Sequence, residues 1–184
     1  MVDTGGPLRL VGEAGIGKSR LLDELASRAR DGGFEVTRLT PRDDPQFPTP
    51  QWVLRTMTAA LLGPEAETLN SPEALQSAAR KIELPPENLA GLEVVFGVPR
   101  PLNRQLSRSA QRREVRAALR ALVTARARQK PVALLMEDLE QMDAPSRRMV
   151  EYLQTIPAQE RILVVSSQTD HPDDADAVPQ LVIR

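Results

Sequence analysis

Leu8-Arg9-Leu10-Val11-Gly12-Glu13-Ala14-Gly15-Ile16-Gly17-Lys18-Ser19 decides the fold. Leu8–Val11 is a short apolar stretch of strand length. It runs straight into a turn that fits G-x-x-x-x-G-K-[ST]. Glycines let the backbone curl so that successive N–H groups point inward at an anion. The helix expected from about Lys18 adds its positive N-terminal end. Lys18 can reach the second and third phosphates of a nucleotide, and the Ser19 hydroxyl can ligate Mg2+. Four specified positions match by chance in roughly 1% of chains this long. The strand before the turn and the helix after it make coincidence a poor explanation.

Outward from the loop, Leu21, Leu22, Leu25, Ala26 and Ala29 fall on one helical stripe, which Gly32-Gly33 ends. Phe34–Leu39 alternates and predicts a second strand. Pro41, Pro45, Pro48 and Pro50 then break regular structure. Helical patterns follow at 51–62, 72–81 and 86–96, among further prolines. Residues 105–129 predict a long helix with Val115, Ala118, Leu119, Leu122 and Val123 as its buried stripe. Val132–Met136 is a continuous apolar run, as expected of a parallel strand buried on both faces. A helix is expected at about 145–155, with Pro145 in its first turn. Arg161–Val165 reads as another buried strand and Leu181–Ile183 as the last. Strands alternating with helices imply an α/β fold with a parallel sheet.

A phosphate loop that works with magnesium needs an acidic strand end elsewhere in the sheet. Glu137-Asp138, directly after Val132–Met136, supplies it. Glu137 is the expected Mg2+ residue and Asp138 the expected base that orients or deprotonates water; the two roles are interchangeable on sequence alone. Asp143 reads better as a helix cap than as a site residue.

Composition bounds the rest. The chain has 184 residues, a net charge of −1, no cysteine and a single histidine, His171. Thiolate and histidine-rich metal sites are therefore excluded. With 3% aromatics there is no platform for stacking single-stranded bases. No apolar run approaches transmembrane length, and no basic-then-apolar leader stands at the N-terminus. A cytoplasmic location fits these features. Arg112, Arg113, Arg116 and Arg120 lie opposite the apolar stripe of their helix, which is the pattern of a solvated face rather than a nucleic-acid surface. His171 stands among Asp170, Asp173, Asp174 and Asp176, the composition of a solvated loop.

Gly12–Leu22, GEAGIGKSRLL, and Met136–Ser146, MEDLEQMDAPS, resemble the AAA-like ATPase module of large bacterial signalling proteins, the STAND class of P-loop NTPases. That group includes maltose-regulator-like transcription factors of the LuxR type and ATPase-linked adenylate cyclases and serine/threonine kinases. The resemblance implies a three-layer P-loop NTPase core: a five-stranded parallel sheet in the order 5-1-4-3-2 with helices on both faces. It implies ATP and Mg2+ as cofactors, with Gly12, Glu13, Ala14, Gly15, Ile16, Gly17, Lys18, Ser19 and Arg20 binding the nucleotide. Ser19, Glu137 and Asp138 form the implied metal set, and Lys18, Glu137 and Asp138 the catalytic set. Glu140, Gln141 and Met142 depart from the family pattern, which tends to have His or Gln, Trp and Ala there. Thr169 stands where the family often has a sensor arginine, with Ser167 and Gln168 as neutral neighbours, which implies slow or absent hydrolysis.

The resemblance also implies that 1–184 is a single ATPase core excised from a longer parent. An adenine-holding segment would precede it and a helical lid would follow it. The expected function is an ATP-binding switch domain of a signalling or transcription regulator. The alternative is a nucleotide-responsive or vestigial interaction module that does not hydrolyse. Other domains of the parent are the expected partners, with an oligomer open and neither membrane nor direct nucleic-acid binding expected.

Overall fold

The computed structural model describes residues 6–41, 52–63, 69–98, 107–156, 161–169 and 178–183. His171 with its Asp-rich surroundings, and Pro45, Pro48 and Pro50, lie outside them. The chain forms two compact units, Met1–Val53 with Lys130–Arg184, and Leu54–Gln129.

The first unit is an α/β layer structure. Its strands are β1 (Gly6–Val11), β2 (Glu35–Leu39), β3 (Val132–Met136), β4 (Ile162–Gln168) and β5 (Gln180–Val182). All pair in parallel, in the order β2-β3-β4-β1-β5, which is the expected order. The fully buried β3 occupies an inner position, as its unbroken apolar run requires. β5 is an edge strand and is exposed at Gln180, Leu181 and Val182.

Side-chain alternation assigns the two faces of the sheet. On one face Leu10, Leu135 and Val165 pack against Leu22 and Ala26 of α1 (Lys18–Asp31), with Leu21 and Leu25 at the margin. On the other, Arg9 and Ser166 meet Gln154, just beyond a helix at Ala144–Leu153. The Arg9 guanidinium donates to Gln154 Oε1 at 3.4 Å, and Gln154 Nε2 donates to Ser166 Oγ at 2.9 Å. These bonds satisfy polar groups that would otherwise oppose burial.

The second unit is helical: α2 (Trp52–Leu62, mostly within it), α3 (Pro72–Lys81), α4 (Leu89–Phe96) and α5 (Arg108–Gln129). Ser71 caps α3, accepting the Ala74 N–H at 3.2 Å, with Pro72 in the first turn. The expected stripe Val115, Ala118, Leu119, Leu122 and Val123 is buried on α5, while Arg112, Arg113, Arg116 and Arg120 are exposed. The pattern at 86–96 resolves into a short 3-10 turn, Pro86–Asn88, followed by α4. The helix between β3 and β4, Ala144–Leu153, is α6. Asp143 caps it: Oδ1 accepts the Ser146 N–H at 2.9 Å and Oδ2 accepts the Ser146 hydroxyl at 2.7 Å.

Gly91 shows how closely α4 approaches α5. A Cβ built there would lie 2.3 Å from the Glu114 carbonyl oxygen and 2.6 Å from Ala118 Cβ. Alanine ordinarily gains about 1 kcal/mol over glycine inside a helix. Here overpacking, typically about 1–3 kcal/mol, opposes that gain and exceeds it because the nearest atom is backbone. Gly91→Ala is therefore expected to lower the thermal midpoint of the chain, read by circular dichroism; an increase would contradict the close approach.

Candidate nucleotide-binding site

Parallel pairing delivers the C-terminal ends of β1, β3 and β4 to one edge of the sheet, where α/β folds place their ligands. A cavity of about 350 Å³ opens there, lined by Ala14, Gly15, Gly17, Lys18, Ser19, Asp138, Glu140, Gln141 and Thr169. It thus joins the phosphate loop to one member of the acidic pair. Gly12, Glu13, Ile16, Arg20 and Glu137 are not among its lining residues; Arg20 and Ile16 are exposed.

The loop is built for an anion. Gly17 has φ 106°, a conformation that a side chain strains. It stands at the N-terminus of α1, where no side chain caps the free N–H groups and no acidic residue sits in the first turn. Those donors and the helix dipole remain available to a phosphate. Gly12 is required for a different reason: a Cβ there would lie 2.8 Å from the Ile183 carbonyl oxygen, just past β5. Lys18 is buried, 7% exposed, and its Nζ donates to the carbonyls of Gly12 at 2.8 Å and Glu13 at 2.9 Å. An ammonium has three donors, so one remains for a ligand.

The two acids differ sharply. Glu137 is buried, and both its oxygens are engaged from β2 and the residue after it. Arg38 donates to Oε1 at 2.7 Å and Thr40 to Oε2 at 2.5 Å. Burial opposes its ionisation, but hydrogen bonds from Arg38, Thr40 and Ser19 outweigh that and hold its carboxyl below the ordinary value of 4.5. Arg38 also pairs with Asp23 on α1. Asp138 goes the other way: burial first, then the charges of Glu140 and Glu137, raise its pKa against the pull of Lys18. Its backbone is left-handed, φ 45°, and its N–H donates to Ser167 Oγ at 3.1 Å. Gln141 Nε2 donates to Asp138 Oδ2 at 3.3 Å.

Ser19 and Glu137 lie within hydrogen-bond reach of one another. A hydroxyl and a carboxylate are hard oxygen donors, suited to Mg2+, which takes one or two protein ligands and completes its shell with phosphate and water. Among the described residues no group of three or more His, Cys, Asp or Glu is placed to hold a metal ion. Sequence reasoning missed Arg38 and Thr40, because only the β2–β3 pairing brings them to Glu137. It noted Glu140 and Thr169 as departures without seeing that they meet: Glu140 Oε1 accepts the Thr169 hydroxyl at 2.6 Å.

The Glu137 cluster carries a pH signature. A carboxyl whose folded pKa is depressed contributes stability above its unfolded pKa and loses it as pH falls through the folded value. Arg38→Met is expected to cost about 1–3 kcal/mol at neutral pH. It is also expected to flatten the loss of stability below pH 4.5, read as urea midpoints across that range. An unchanged pH profile would show that Arg38 does not hold Glu137 ionised.

No curated protein matches the sequence. The family model described as AAA ATPase domain matches residues 2–165, and its match includes the phosphate loop, the acidic pair and β1 to most of β4. Among the described residues no helix is long and apolar enough to cross a membrane. The parallel five-stranded sheet, its order and the matched span together make this chain a member of the AAA ATPase domain family, a nucleotide-binding module of the P-loop type.

Proposed function

We propose that this domain binds ATP with Mg2+ on the Gly12–Ser19 loop, hydrolyses it slowly, and serves as a switch in a bacterial signalling or transcription regulator. The observation that carries the reading is that one cavity is lined by Gly15, Gly17, Lys18, Ser19 and Asp138 together. Other domains of a longer, cytoplasmic parent protein are the partners in this proposal. The match to the AAA ATPase domain supports the nucleotide; the resemblance to STAND-class sequences supports the switch.

In the proposed mechanism the N–H groups of Gly15–Ser19 hold the phosphates, and Lys18 turns its remaining donor to the terminal ones. Ser19 and Glu137 would hold Mg2+, which would supply positive charge to the phosphates. Arg38 and Thr40 keep the Glu137 carboxylate ionised and fixed. Asp138 orients the attacking water and takes its proton, a role suited to the carboxyl of raised pKa. Thr169 offers no positive charge to the leaving or transferred phosphate. That feature favours slow turnover, and it also supports a second reading, a domain that binds ATP without hydrolysing it.

Lys18→Ala is expected to abolish calorimetric binding of Mg-ATPγS, and retained binding would contradict the site. Asp138→Asn is expected to keep nucleotide binding but to lose steady-state phosphate release, by about 100-fold or more for a general base. If the parent protein binds ATP tightly and releases no phosphate even with Asp138 intact, the second reading replaces the first.

A further inference from the structure

Glu140 belongs to neither the phosphate loop nor the acidic pair, yet it lines their cavity. Its Oε1 accepts two bonds from Thr169, from the backbone N–H at 3.0 Å and from Oγ1 at 2.6 Å. Its Oε2 is buried without a hydrogen-bond partner. A carboxylate fixed by two donors therefore stands at the cavity, together with Asp138, Lys18 and the N–H groups of the loop.

Two consequences follow for a bound phosphate chain. First, the N–H and O–H that Thr169 brings to the end of β4 are both spent on Glu140. Second, Glu140 repels phosphate, and in proportion to its nearness and charge. A diphosphate is held by the loop N–H groups. A third phosphate extends from the loop toward the acids that follow β3, and so toward Glu140.

We propose that Glu140 makes the site discriminate by phosphate number. Paired with Thr169, it selects against a third phosphate. Admission of that phosphate requires the pair to open, which turns both Thr169 donors toward the ligand and uncouples the Leu139–Gln141 turn from the end of β4. Specificity here is a repulsive element built into an attractive site. The proposal rests on the reading of the phosphate loop given above.

The test is calorimetric binding of Mg-ADP and Mg-ATPγS to the full chain and to Glu140→Gln. Glutamine keeps an acceptor for Thr169 and removes the charge. The variant is expected to shift affinity toward ATPγS over ADP by about fivefold or more, an attenuated like-charge effect. The same shift is expected with inorganic tripolyphosphate against pyrophosphate, since the base plays no part. Glu140→Ser, which also removes the charge, is expected to shift the ratio in the same direction. A ratio unchanged within about twofold, or shifted toward the diphosphate, overturns the proposal. Lys18→Ala, run beside them, separates the two readings. If Lys18→Ala loses both nucleotides while Glu140→Gln leaves the ratio unchanged, the loop reading stands and the role of Glu140 falls. If Lys18→Ala binds as the wild type does, the loop reading itself fails.

Discussion

The site depends on β4 lying between β1 and β3 in parallel register, with Val11 opposite Gln168 and Met136 opposite Ser166. Adjacent strands are spaced about 4.8 Å apart, so the C-terminal ends of β1 and β3 are separated by about two spacings, near 10 Å. That separation leaves room for a phosphate chain between them. The intervening strand then contributes to both sides of the gap: on the loop side the Gln168 carbonyl takes the backbone N–H of Gly12 at 3.4 Å. Ser167 takes the backbone N–H of Asp138, and Thr169 is held by Glu140.

Within that frame, two neighbouring carboxyl groups acquire opposite characters. Burial disfavours the charge on both Glu137 and Asp138. For Glu137 the donors from Arg38, Thr40 and Ser19 win, and the acid stays ionised in a nearly dry position. For Asp138 the described residues supply the Gln141 amide but no comparable set of donors, and the charges of Glu140 and Glu137 add to the cost of ionisation. Environments that drive two acids apart in pKa give them different chemistry. The sequence reading left their roles interchangeable, and this asymmetry is what favours Glu137 as the fixed anion and Asp138 as the proton acceptor in the proposed mechanism.

Much of this was legible in the sequence, and for identifiable reasons. The loop is local: strand, glycines, lysine and helix lie within a few residues, so spacing alone specifies them. The unbroken apolar run of β3 reveals a doubly covered strand, and the acids directly after it mark the ligand edge. The order of the strands came through the family resemblance rather than from patterning. What stayed hidden is long-range. Arg38 reaches Glu137 across 99 positions, and Glu140 reaches Thr169 across 29, through pairings that no local spacing encodes. Gly12 looked like one more curl in the loop, but its Cβ would strike the backbone of Ile183. Gly91 carried no signal at all, because its reason is the approach of a second helix.

In the proposed function, phosphate is bound where the loop and the end of β4 face each other. The most direct measurement is a nuclear magnetic resonance titration of the isotopically labelled chain with Mg-ATPγS, following backbone amides residue by residue. The largest shifts are expected at Gly15, Gly17, Lys18 and Ser19, with Asp138 and Thr169 following. Shifts concentrated in Leu54–Gln129, with the loop amides unmoved, would contradict it.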